Sequence, residues 1–181
     1  MFIVAGAPAH SSFKKTQLFN RLTSMSSVQS IESQWIYLFD QALNEQQQQS
    51  ALQLLNDGSS FEIRQAASDE IQILVTPRLG TISPWSSKAT DIFANCNTPI
   101  HRLERGVLFT LKGVSEISAE VKLALHDRMT ESVFNQIEDA AALFSETEPK
   151  PLNSIDILGQ GKAALVTANS EFGFALSDEE I

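Results

Sequence analysis

The sequence predicts an α/β chain of the α+β kind, a sheet with helices packed on one face, and three observations carry that reading. Short apolar runs rich in β-branched and aromatic residues alternate with runs of helical periodicity. Capping residues fall at the starts of the helical runs. The order strand–helix–strand–helix occurs twice, which predicts two ferredoxin-like halves forming a duplicated sheet.

Residues 1–6 read as a short buried strand ending at Gly6-Ala7-Pro8. A helix follows from Ser12, with Leu18, Leu22 and Met25 on one face. Ser26–Phe39 reads as a long strand, dense in Ile31, Trp35, Ile36, Tyr37 and Phe39. Asn44 and Gln47 form a capping box, and the helix they open stops at Asp57-Gly58. The second round comprises strand Ile71–Val75, helix Trp85–Asn95, strand His101–Leu111 and helix Ser115–Leu125. An extended stretch Met129–Phe134 and a helix over 136–144 complete it.

Glu146–Pro151, with two prolines and two glutamates, reads as a linker. Beyond it the sequence predicts an extended run Leu152–Leu158, a turn at Gly159-Gln160-Gly161 and a helix Lys162–Phe172. Ser177-Asp178-Glu179-Glu180 carries the signal of a helix beginning, so the chain is expected to stop inside a second domain. The domains are placed at 1–148 and 149–181.

Composition narrows the partners. The 181 residues carry 13 basic and 22 acidic side chains, a net −9, which disfavours nucleic acid and anionic membranes. Cys96 is the single cysteine, so no internal disulfide or cysteine-based zinc cluster can form. His10, His101 and His126 share no metal-ligand spacing, and no metal is expected. The apolar start is too short for a signal peptide or a span, and the expected location is the cytoplasm.

Chemistry concentrates in Leu74–Ile92, LVTPRLGTISPWSSKATDI. Ser83 stands at an N-cap and Pro84 at the first helical position. Trp85, Ala89, Ile92, Phe93 and Cys96 then form one apolar stripe. Around the helix start lie Arg78, Gly80, Thr81, Ser83, Ser86, Ser87 and Lys88. Hydroxyls, cations and free N–H groups at the positive end of a helix suit an anion. Residues 76–105 hold four cations and two carboxylates, a positive island in an acidic chain. The other reading is an ordinary capped helix with surface cations. Trp85 is either an anchor for another domain or the lid of the core beneath it; Trp35 reads as core. His126, Asp127 and Arg128 are either interface residues or compensate a helix C-terminus.

TPRLGTISPWSSKATDI at 76–92, RLERG at 102–106, HDRMTE at 126–131 and DILGQG at 156–161 together resemble the amino-terminal region of the large phosphoribosylformylglycinamidine synthases. The likeness runs over essentially the whole chain. It implies a PurS-like organising domain followed by the start of a helical linker domain. It further implies an ATP- and glutamine-dependent ligase that turns formylglycinamide ribonucleotide into the amidine. ATP, magnesium and a Cys-His-Glu glutaminase would belong to later domains of the same chain, which become the expected partners. No catalytic residue carries over by motif, and Cys96 is not the glutaminase nucleophile. The isolated chain is expected to be inactive and to self-associate through an apolar face. A second function class is an independent ferredoxin-like module binding an anionic metabolite at Gly80–Lys88.

Overall fold

Along the central strands, odd- and even-numbered side chains meet different surroundings, and this alternation decides which face each helix covers. In a computed structural model, which describes residues 1–145 and 151–181, five strands form one antiparallel sheet in the order β1-β2-β4-β3-β5. The strands are β1 (Phe2–Pro8), β2 (Ser30–Phe39), β3 (Glu70–Pro77), β4 (Leu103–Lys112) and β5 (Glu131–Phe134). Four α-helices lie between them: α1 (Ser12–Thr23), α2 (Glu45–Asn56), α3 (Pro84–Asn95) and α4 (Ala119–Leu125).

The odd-numbered face carries all four. At one end Ile31, Ile73, Val75, Phe109 and Leu111 pack against Leu22 of α1 and Val121, Ala124 and Leu125 of α4. At the other end Tyr37, Phe39 and Leu103 pack against Ala51 of α2 and Ala89 and Phe93 of α3. Each fully buried Leu or Phe contributes about 1.5–3 kcal/mol by leaving water. The two helix pairs sit at opposite ends of the central β2–β4 pair, as a duplicated ferredoxin-like arrangement requires.

The even-numbered face presents Ile36, Leu38, Leu74 and Leu108. A 3-10 helix, Glu138–Phe144, covers it with Ala140 and Leu143, and Ile63 of the 59–69 connection adds to the cover. This segment, read from sequence as a helix over 136–144, has Ile137 at its start with no side-chain cap, and its tight three-residue turn presents Ala140 and Leu143 together.

Local signals reappear in detail. Asn44 and Gln47 form the reciprocal capping box, and Asp57 ends α2 in the left-handed region at φ 51°. Helix α4 starts four residues later than expected, because Ser118 is the residue whose hydroxyl accepts from Val121 N. The apolar stripe on α3 is narrower than expected: Ala89 and Phe93 are buried, whereas Ile92 is 45% exposed and Cys96, the C-cap, is also exposed.

Residues fall into two compact units, Met1–Glu146 and Thr147–Ile181. The predicted linker lies, up to Lys150, outside the described residues. In the second unit, Asp156 caps a short helix α5 (Ile157–Gln160), so Ile157 and Leu158 are helical rather than extended. Helix α6 (Lys162–Phe172) follows and ends at Gly173 in the left-handed region. Ser177 and Glu180 exchange capping hydrogen bonds around a turn. Among the described residues no helix is long and apolar enough to cross a membrane.

Candidate functional site

The segment 76–106 folds around one carboxylate. Strand β3 leaves β4 after the Val75–Val107 pair, so residues 103–106 lose that ladder partner and the loop 78–83 fills the flank. There Glu104 is fully buried. Its carboxylate accepts from Ser83 N at 3.1 Å and from Ser83 Oγ at 2.7 Å. Ser83 Oγ in turn accepts from Ser86 N at 3.0 Å and caps α3, with Pro84 in the first turn. Ser87 N bonds to Ser83 O. The positive end of α3 thus faces an anion supplied by the chain itself.

Arg102 closes this network. It pairs with Glu104 at 2.8 Å, donates to Thr81 O at 2.8 Å and to Leu143 O at 3.0 Å, and lies over the Phe144 ring at 5.3 Å. One guanidinium therefore ties β4, the 78–83 loop and the 3-10 helix together, using several of its five fixed donors.

The predicted residues divide accordingly. Ser83 is in the network. Ser86 is fully buried, its Oγ without a hydrogen-bond partner. Arg78, Gly80, Thr81, Ser87 and Lys88 are exposed; Gly80 turns at φ +76°, Thr81 Oγ1 donates to Arg78 O, and Arg78 N donates to Thr130 O. His126 bonds to the Lys122 carbonyl at the end of α4, and Asp127 accepts from Met129 N and organises the turn into β5. Arg128 is exposed beside them.

A second cluster lies midway between the two helix pairs. Tyr37 stands opposite Arg105 in the β2–β4 ladder. The Arg105 guanidinium carbon lies 4.4 Å from the centre of the Trp35 ring and 4.8 Å from that of Trp85. Trp85, from the first turn of α3, also stacks on Tyr37 at 5.9 Å. Burial lowers the pKa of Arg105 from its ordinary value and raises that of Tyr37, each countered by the other's charge. Trp35, read as core, is half-buried instead, and Trp85 serves as a lid over it and Arg105.

A family model described as "Formylglycinamide ribonucleotide amidotransferase N-terminal" matches residues 14–144, most of the chain. The chain belongs to that family. In this formylglycinamide ribonucleotide amidotransferase N-terminal domain, the RLERG run separates by strand alternation. Arg102 and Glu104 serve the network on the even face, while Leu103 and Arg105 serve the helical face. Gly106 admits β3: a Cβ there would lie 2.7 Å from Val75 O. Sequence reading missed Glu104 and Arg102 as a pair, and missed Arg105. The signal was there, since charged residues at 102 and 104 share parity within an apolar strand.

His10 sits on the same face, its ring stacked on Phe109 at 5.6 Å and its Nδ1 2.9 Å from Ser33 Oγ. Burial, and then the Lys14 charge, lowers its pKa below the ordinary 6.5. The unfolded chain takes up this proton first as pH falls through 6.5, so stability is lost on acidification from there down to the folded pKa. We expect the urea midpoint to drop between about pH 7 and about pH 5.5, and to drop less in His10→Gln. Equal slopes in both proteins would contradict this.

Proposed function

We propose that the chain is a non-catalytic organising domain of a phosphoribosylformylglycinamidine synthase. That enzyme uses ATP, magnesium and glutamine to convert formylglycinamide ribonucleotide to its amidine. The domain holds its α3 loop against the remaining linker, synthetase and glutaminase domains of the same cytoplasmic enzyme and helps to organise ammonia transfer between their active sites. One observation carries this reading: the loop is rigidly based on the Glu104–Arg102 network yet points apolar side chains outward. Leu79 is 42% exposed and Ile82 62%, and Met129, beside the strand-like contact of Arg78 with Thr130, is 74% exposed. Large apolar side chains displayed from an anchored loop are the composition of a contact surface.

The independent anion-binding module has less support, because the N-terminus of α3 already holds Glu104. A ligand at Gly80–Lys88 would meet that carboxylate.

In the full-length synthase, Leu79→Asp together with Ile82→Asp is expected to lower kcat/KM roughly ten- to hundredfold, the effect of losing an interface hot spot. The thermal midpoint of the isolated domain should stay within about 2 °C, since both positions are surface sites. Unchanged kinetics in the full enzyme would remove the reading. Ligase turnover by the isolated chain would remove it too.

A further inference from the structure

Arg105 is unlike the chain's other partly buried arginine. Arg102 has a carboxylate and two carbonyls. Among the described residues, the Arg105 guanidinium donates no hydrogen bond and makes no ion pair, although the chain carries 22 acidic side chains. Its neighbours are the indoles of Trp35 and Trp85, which stabilise the charge through their ring faces but offer no oxygen acceptor, and Tyr37, to which its guanidinium makes no hydrogen bond. All five N–H donors are left to whatever enters the space above them.

That space is a cleft of about 380 Å³ on the helical face, lined by Arg105, the two indoles, Thr76, Thr130 and His10 among others. The size lies in the range of small-molecule sites. Its walls are mixed, with Val75, Val107, Pro77 and Pro84 supplying apolar surface. One carboxylate lines it, Glu131, and that group is already engaged by Asp127 N at 2.8 Å.

We propose that this cleft binds a small organic oxyanion, a phosphate monoester or a carboxylate, with Arg105 as the recognising group. The planar guanidinium presents paired donors to two oxygens of one anion. The indoles hold it in place and keep it partly desolvated, which strengthens the contact. His10, held through Nδ1 at Ser33, leaves its other ring nitrogen for a further polar contact. The cleft shares Ser83, Pro84 and Trp85 with the Gly80–Lys88 segment but takes its recognising charge from β4, and it does not depend on the organising role.

The chain's two tryptophans are Trp35 and Trp85, so its indole fluorescence reads this cleft directly. The chain is titrated with ribose 5-phosphate, inorganic phosphate and glutarate, against sodium chloride at matched ionic strength. A saturable change with at least one of the three, absent with chloride, is expected. Response to the phosphates alone identifies a phosphorylated ligand, and response to glutarate alone a carboxylate. Arg105→Lys, which keeps charge but loses the planar fork, should weaken the response at least tenfold, and Arg105→Met should abolish it. Unchanged thermal midpoints in the Lys variant report that the fold is intact. No saturable response up to about 10 mM, beyond any useful affinity, would overturn the proposal. So would an undiminished response in Arg105→Met.

Discussion

Glu104→Ala is expected to destabilise the chain by about 3–5 kcal/mol, the cost of breaking a buried pair and leaving one charge without its partner. The thermal midpoint should fall by about 10 °C. Several groups lose their acceptor at once: Ser83 N, Ser83 Oγ, and Nε and Nη2 of Arg102. Unmade hydrogen bonds in a buried setting carry the full desolvation cost. Glu104→Gln retains the shape and one acceptor, so it should lie between the wild type and alanine. The decisive measurement is a double-mutant cycle with Arg102→Met. If the two groups act as a pair, Glu104→Ala with Arg102→Met removes both charges together. The double variant should then be more stable than the sum of the singles by about 1–3 kcal/mol. Additive singles, or a loss under about 1 kcal/mol for alanine, would mean that the network is not what fixes the α3 loop.

How much of this could be read beforehand depends on how far apart the interacting residues lie in the chain. The capping box of Asn44 and Gln47, the Ser83 cap with Pro84 behind it, and the Asp57-Gly58 stop are all contacts within a few residues, and sequence reading placed them. The sheet could be assembled from strand order because both helix pairs need apolar strand faces to cover. Glu104 could not be anticipated in the same way. Its partner Ser83 is 21 residues upstream, and only the early departure of β3 from β4 brings them together. The Ser83 cap was legible in the turn; that its hydroxyl and N–H also hold an internal carboxylate is tertiary information. Arg105 was hidden for a similar reason. Its indole partners come from β2 and from α3, and neither has a periodic relation to position 105. The segment 136–144 was legible as a helix but not as a 3-10 helix, because Ala-rich composition favours a helix without distinguishing the α from the 3-10 turn.

Phe93→Ala should cost about 3–5 kcal/mol, a full aromatic deletion in a packed interior. Phe93 is 1% exposed and meets Phe39 edge-to-face at 5.8 Å and 74°, the geometry that aromatic quadrupoles prefer. It anchors the C-terminal half of α3, whose first turn carries Trp85 over Arg105. Loosening the helix should therefore expose the Trp85 indole, and the fluorescence maximum should move to longer wavelength in the folded variant. The control stands one residue away. Ile92 belongs to the same apolar stripe in sequence but is 45% exposed, so Ile92→Ala should cost below about 1 kcal/mol and leave the emission in place. Equal losses at 92 and 93 would mean that α3 is rotated from the orientation described, and with it the placement of Trp85 in the Arg105 cleft. A large loss at 93 with unchanged emission would separate the two ends of the helix, and the lid would then be held by Tyr37 and Arg105 alone.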